Sequence, residues 1–348
     1  MSVSEGQVLN SLKSVEDPDL KKDVVSLGFI KNLKIEGGRV SFELELTTPA
    51  CPMKAQLKAA AEEAVKRIEG VTEVKVDVTS NVSSHRMPGN EEILPGVKNI
   101  VAVASGKGGV GKSTVSVSLA VAMAKTGAKV GLLDTDIYGP SIPIMMGVTE
   151  KPEIRDNKLI PIVKYGVSLM SIGFMIPEDT PLIWRGPMVM KAVEQLLTDV
   201  EWGEIDYLLM DLPPGTGDVQ LTLSQKVPLT GAVIVTTPQD VALLDVVRGI
   251  SMFRKLNVPI LGVVENMSFF SCPHCGGRSD IFSHGGGKTA SEKLDVPFLG
   301  EVPIDLKIRE GGDAGRPVSA EDDSASPQSR VFMSLGEQLA ARISALGK

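Results

Sequence analysis

The sequence predicts an α/β protein in two parts: a mostly parallel sheet with helices on both faces, preceded by a small α+β domain. Three observations predict it. From residue 98 onward, apolar runs of strand length alternate with longer stretches of helical periodicity, the pattern of strands covered on both faces by crossover helices. The first of these runs passes directly into a glycine-rich loop and then a helical pattern. Before residue 79, an alternating strand, a hairpin break and an Ala-rich helix make a smaller unit of their own. A length of 348 residues suits two domains.

Residues 4–15 read as a short helix, and Val24 to Ile35 and Arg39 to Leu46 as strands joined through the Glu36-Gly37-Gly38 break. In the second strand Val40, Phe42, Leu44 and Leu46 alternate with Ser41, Glu43 and Glu45, so one face is buried and the other wet. The run from Met53 to Glu69 is a helix ended by Gly70, and Val71 to Val78 is a third strand. Residues 79–98, TSNVSSHRMPGNEEILPGVK, hold no sustained periodicity and read as a linker. The domains are therefore 1–79 and 98–348, with 80–97 between them. In the second domain the expected strands are Ile100 to Ala104, Val130 to Asp134, Leu208 to Asp211, Ala232 to Thr236, Ile260 to Val264 and Phe298 to Val302.

Charge and composition exclude several functions. With 36 basic against 43 acidic residues the net charge is −7, which disfavours holding nucleic acid by bulk charge. The amino terminus lacks the basic start and apolar stretch of a signal peptide, and no apolar run approaches the ~20 residues of a membrane span. A cytoplasmic protein with neither membrane nor nucleic-acid partner is expected. Its three cysteines, Cys51, Cys272 and Cys275, are an odd set that suits a reducing compartment.

The strand Ile100 to Ala104 runs into Ser105-Gly106-Lys107-Gly108-Gly109-Val110-Gly111-Lys112-Ser113-Thr114 and a helical pattern that Gly127 closes. This is GxxxxGK[ST] in a strand-loop-helix setting. Its glycines let backbone N–H groups close around phosphates, and the helix amino terminus adds partial positive charge. Lys112 can neutralise the outer phosphates and the Ser113 hydroxyl can ligate Mg2+, so a nucleoside triphosphate is the natural ligand. Lys107, a second lysine inside the loop, makes the motif resemble the deviant loop of the nitrogenase iron protein, MinD and ParA class of ATPases. That resemblance implies a homodimer in which Lys107 reaches the partner's nucleotide.

Two acidic segments suit the same site. One strand ends in Asp134-Thr135-Asp136 and another in Asp211, followed by Leu212 to Asp218. Ligands of an open α/β sheet bind where strands end, so Asp211 is a candidate for the magnesium shell and Asp136 for orienting or deprotonating the attacking water. Aspartates also end strands as plain turn residues, and that reading stays open for Asp134 and Asp218. By resemblance to the class, Asn266 and the Pro303 to Asp305 loop would contact adenine.

Ser271-Cys272-Pro273-His274-Cys275-Gly276-Gly277 is a knuckle whose two cysteines can direct both sulfurs at one metal. Two thiolates are half a site, and within the chain only Cys51, His85, His274 and His284 remain as histidine or cysteine candidates. The dimer implied by Lys107 resolves the shortage, since two chains bring four thiolates to one point. A zinc knuckle, a thiol redox pair and a structural turn compete with this reading. Cys51, at a strand-to-helix turn, is either a reactive thiol for cluster receipt or partner contact, or a small buried apolar residue.

GKGGVGKST, DxDIYGPSIP, WRGP, DLPPGTGD and ENMS followed by CPHCG occur in this order. With them, the chain from about Lys98 to its carboxyl end resembles the Mrp/ApbC family of iron-sulfur cluster carrier ATPases. The residues DPD at Asp17 to Asp19, VSLGFI at Val25 to Ile30 and TTPACPM at Thr47 to Met53 resemble the small SufT/PaaD-type domain. The resemblance implies a P-loop NTPase fold and ATP hydrolysis coupled to transfer of a [4Fe-4S] cluster, received from a donor and delivered to acceptor apoproteins. The alternative is a MinD/ParA-like positioning ATPase with a structural zinc knuckle. A membrane-binding tail for such a protein would fall in Arg330 to Lys348, where Phe332, Leu335, Leu339, Ile343 and Leu346 lie near one face; core packing is the better reading because the polar side is weakly basic.

Overall fold

A computed structural model describes residues 3–18, 20–87, 93–137, 139–175, 186–321 and 326–346. Asp19 of the DPD segment, residues 88–92 of the linker, Tyr138, and Trp184 and Arg185 of the WRGP segment lie outside them. The chain divides into two compact units, one formed by residues up to Ser83 with the last turns of the carboxyl-terminal helix, the other by Ser84–Leu339.

In the first unit, helix Glu5–Leu12 begins with a capping box in which Ser4 and Gln7 bond reciprocally. Strands Ile30–Glu36 and Arg39–Leu46 form the expected hairpin, with Glu36 opposite Arg39, and Glu73–Ser80 adds parallel to the second strand. Helix Lys54–Lys66 supplies Leu57, Ala61 and Val65 to a core with Val40, Phe42, Leu44 and Leu46. The expected strand from Val24 is corrected: 24–29 is a turn, because Gly28 takes φ of +71° and the N–H of Phe29 closes back on the Val24 carbonyl. The ladder starts only at Ile30.

The second unit is built on a sheet of eight strands, in the spatial order Ile162–Lys164, Val167–Ser171, Val130–Asp134, Ile205–Asp211, Val97–Ala104, Gly231–Thr236, Ile260–Glu265 and Phe298–Glu301. All neighbours are parallel except the first pair. The six expected strands are present. Ile162–Lys164 and Val167–Ser171 were not expected, because the first is a three-residue, half-exposed antiparallel edge and the second has serines at 168 and 171 where a buried parallel strand shows a continuous apolar run.

Every residue from Ile100 to Ala104 is buried, as the two-sided cover of a parallel sheet requires. Helix Lys112–Lys125 is likewise buried along most of its length, from Val115 to Met123. It is therefore held by packing all around rather than by one apolar stripe. Truncating Leu132 or Ile100 to Ala in such a setting costs about 2–5 kcal/mol. The carboxyl-terminal helix Pro327–Ala345 buries Phe332, Leu335, Leu339 and Ile343, so its apolar face is spent on packing.

Register decides what stands at the carboxyl edge of the sheet. Asp134 pairs with Asp211 on one side and Ser171 on the other, which lines up two carboxylates and a hydroxyl on three adjacent strands. Strand Val97–Ala104, next to Asp211, delivers the glycine-rich loop to the same edge.

Candidate functional site

Glycine at 111 is dictated by sterics. Its φ is +79°, and an added Cβ would fall 2.1 Å from Asn266 Nδ2, an atom that donates a 2.9 Å hydrogen bond to the Val110 carbonyl. Gly106 is equally constrained, since a Cβ there would fall 2.3 Å from that of Asp245. The loop is thus pinned by helix Asp240–Lys255 on one side and by Asn266 on the other.

Behind the loop, Asp211 is fully buried and fully engaged. Lys112 Nζ lies 2.6 Å from its Oδ2, the Ser113 hydroxyl donates to the same oxygen at 2.7 Å, and the Ser116 hydroxyl donates to Oδ1 at 2.5 Å. Lys112 Nζ is also 3.7 Å from Asp136 Oδ2. An ammonium buried to 6% exposure is tolerable because two carboxylates balance it. Ser113 and Asp211 together offer hard oxygen donors, a carboxylate and a hydroxyl, and that donor set suits Mg2+.

Asp134 differs from its neighbours. Burial, then the charge of Asp211, pushes its carboxyl up to about 7, opposed by the Ser171 hydroxyl that donates to Oδ2 at 2.8 Å. The Asp136 N–H donates to Asp134 Oδ1 at 3.1 Å, so Asp134 braces the turn that carries Asp136. Thr135 bonds the Asp211 carbonyl through both its N–H and its hydroxyl, completing the brace.

Lys107 lies on the outer side of the loop, where its ammonium meets the neutral amide oxygen of Gln239 at 3.3 Å. Thr114, Asn266, Met267, Phe282, Pro303 and Ile304 share the lining of a cavity of about 530 Å³ beside the loop helix. The cavity is mostly apolar with a few polar groups, which suits a planar nucleobase.

The knuckle is carried on a short hairpin, Phe270–Ser271 against Arg278–Ser279. The Cys272 N–H donates to the Gly277 carbonyl at 2.9 Å and the Gly276 N–H to the Cys272 carbonyl at 2.8 Å, so the turn closes on itself. Cys275 is exposed and Cys272 half-buried. The backbone N–H groups of Cys275 and His274, then the Cys275 thiol, hold the Cys272 thiol below its ordinary range. Thiolates are soft donors that suit iron or zinc. Among the described residues no group of three or more His, Cys, Asp and Glu is placed to hold a metal ion. His284 Nδ1 accepts from Arg278 at 2.8 Å, His85 is the residue after the Ser84 that opens the second unit, and Cys51 belongs to the first unit, three residues before its helix Lys54–Lys66.

The structure therefore brings Lys112, Ser113, Asp136 and Asp211 together at one point and puts Asn266 against the loop. Four participants escape the sequence motifs. Ser116 stands one helical turn beyond Lys112 and is the legible one, a hydroxyl inside an apolar run; Ser171, Gln239 and Phe282 come from segments with no motif of their own.

A phosphate loop at the carboxyl edge of a mostly parallel sheet, backed by an Asp and a Lys, defines a P-loop NTPase. MinD cell division ATPase from Pyrococcus furiosus shares this fold, with a TM-score of 0.53 over 69% of this chain and 97% of that one at 24% identity. A nucleotide-binding protein from Archaeoglobus fulgidus, solved in complex with ADP and with cobalt found, aligns with a TM-score of 0.60 and 40% identity over 68% of this chain and 95% of that one. The model of the NUBPL iron-transfer P-loop NTPases matches residues 96–340, and that of an iron-sulfur cluster assembly protein matches residues 5–78. An iron-sulfur cluster carrier protein of Synechocystis is 48% identical over 97% of both chains. The iron-sulfur cluster transfer protein NUBPL of Dictyostelium discoideum is 52% identical over 74% of this chain and 80% of its own. The chain belongs to the NUBPL iron-transfer P-loop NTPase family, and it carries the small iron-sulfur assembly domain at its amino terminus. No helix among the described residues is long and apolar enough to cross a membrane.

Proposed function

We propose that this protein is an ATP-hydrolysing carrier that receives a [4Fe-4S] cluster between the knuckles of two copies and passes it to acceptor apoproteins. The observation that carries the reading is the accessible pair of half-buried Cys272 and exposed Cys275, a half-site with the Cys272 thiol held below its ordinary range, in the same unit as a complete phosphate loop. A permanent centre calls for enclosure, whereas cargo calls for access. The names of the relatives support the same reading.

In this mechanism Lys112 exchanges its Asp211 partner for the outer phosphates of ATP. Asp211 and Ser113 are the residues that would hold Mg2+, which would supply charge neutralisation at the phosphates. Asp136 orients the attacking water and accepts its proton, and Asp134 holds the Asp136 turn in place. Lys107 leaves Gln239 to reach the nucleotide of the second copy, so hydrolysis requires the dimer. Cys272 and Cys275 of each copy ligate the cluster, and acceptor thiolates replace them one for one at iron. The amino-terminal domain, through Cys51, takes part in receipt from the donor; Cys51→Ala then slows loading, and unchanged loading and transfer remove Cys51 from the scheme. Three cysteines with no disulfide among them support a reducing compartment, the cytoplasm in this reading.

Anaerobic purification followed by iron, zinc and acid-labile sulfide analysis tests the proposal. About four irons and four sulfides per dimer, lost in Cys272→Ser, are expected. Zinc without sulfide would overturn the carrier reading in favour of a structural knuckle.

A further inference from the structure

The loop that carries the two thiols leaves the sheet after Glu265 and returns at helix Gly286–Lys293, and both of its limbs touch the base cavity. On the outgoing limb Met267 lines the cavity, with φ of +54°, a left-handed conformation that a non-glycine residue adopts at a cost of about 1 kcal/mol or more. On the returning limb Phe282 lines the same cavity and keeps 38% of its surface exposed. The thiols stand between these two residues in the chain.

The contacts between cavity and knuckle are continuous. Ser268 N–H donates to the Val302 carbonyl at 3.0 Å and Ile304 N–H to the Phe269 carbonyl at 2.7 Å, which ties the outgoing limb to the cavity wall at Pro303 and Ile304. The Arg278 guanidinium lies 4.1 Å from the centre of the Phe269 ring and reaches Glu301 at 3.4 Å. Arg278 is also the strand partner of Ser271, the residue before Cys272. Movement of the cavity wall therefore has a bonded route to the turn that sets the two sulfurs.

We propose that Met267 and Phe282 are nucleobase-binding residues through which an occupied cavity changes the setting of the Cys272–Cys275 knuckle. A purine filling the cavity packs against both limbs at once, so the knuckle has one arrangement with the base present and another without it. By linkage, whatever factor the nucleotide imposes on the thiol site, a metal at the thiols imposes on nucleotide affinity. This deepens the proposed function and rests on its nucleotide-binding half.

The test uses the full-length, reduced, metal-free chain with Cys51→Ala, so that Cys272 and Cys275 alone report. Their rate of reaction with an aromatic disulfide reagent is measured without nucleotide and with saturating Mg-ADP, binding being followed by calorimetry. ADP is chosen because pairing of two copies around ATP would shield the thiols by itself. The expected result is a rate change of about fivefold or more on ADP binding. It disappears in both Phe282→Ala and Met267→Ala at ADP concentrations that still saturate the phosphate loop. It persists in Ile281→Ala, whose side chain is 57% exposed beside Phe282. ADP that binds without changing the thiol rate overturns this coupling and leaves the functional reading standing. A chain that binds no ADP overturns both.

Discussion

The phosphate loop and the cysteine knuckle lie in one unit and are built on opposite terms. At the loop, Asp211 accepts from Lys112, Ser113 and Ser116 at 2.5–2.7 Å in full burial, and Gly111 is locked against Asn266. At the knuckle, two cysteines sit in the turn of a hairpin with two-residue strands, closed by its own backbone bonds and anchored at its base by Arg278, and Cys275 faces solvent. The first is preorganised to hold charge around a phosphate, where misplacement is costly. The second belongs to the low-stability, accessible end of a structure, from which a ligand can be handed on. Under the proposed function, the difference separates a place where a bond is cleaved from a place where cargo is exchanged.

The strongest way to break this contrast is Lys112→Ala. ATP hydrolysis is expected to fall by about 10²–10³-fold, and the protein to unfold at lower denaturant because Asp211 loses its buried cation. Phosphate release and a urea titration measure the two effects. Cys272→Ser and Cys275→Ser are expected to do the converse, abolishing iron retention while ATP affinity, compared with metal-free wild type, stays within about twofold. A knuckle variant that loses ATP binding would mean that the thiols are structural.

Lys107→Ala sharpens the comparison within the loop. Nucleotide affinity should change little, since the Lys107 ammonium is turned to the Gln239 amide, whereas hydrolysis should fall at least about tenfold. Normal hydrolysis in this variant would remove Lys107 from the proposed cross-dimer role.

Asp134 gives a smaller effect with a definite sign. Its folded pKa is raised from 3.8 to about 7, so between these values the folded state holds a proton that the unfolded state has released. Stability therefore falls as pH rises through that window, and the loss is complete above it. In the metal-free protein the urea midpoint should drop more from pH 5.5 to pH 8 for wild type than for Asp134→Asn. Equal drops would show that Asp134 stays ionised. The smallest expected effect is at Cys272, whose lowered pKa keeps it reactive at pH values where an ordinary thiol is protonated. The pH profile of alkylation in Cys275→Ala should shift back toward the ordinary range, because the Cys275 thiol is one of the groups that lowers it and alanine has no donor to replace it.

Much of this molecule is legible along the chain. The strand-loop-helix around GKGGVGKST, the CPHCG turn and the alternation at Val40 to Leu46 are local, because each depends on spacing, on the freedom of glycine at φ of +79°, or on a two-residue side-chain period. Such features are determined by the sequence itself. The strands Ile162–Lys164 and Val167–Ser171 were illegible because the first is a three-residue edge strand and the second has its apolar run broken by Ser168, and both exist by pairing with strand Val130–Asp134 or with each other. Register, which only the assembled sheet decides, put Asp134 beside Asp211 and so raised its pKa. Packing alone brought Ser116 to Asp211, Gln239 to Lys107, and Met267 and Phe282 to one cavity. The sequence thus determined which chemical groups the protein owns. The tertiary structure decided which of them share a dielectric, a proton or a wall, because those properties depend on distance and burial rather than on order along the chain.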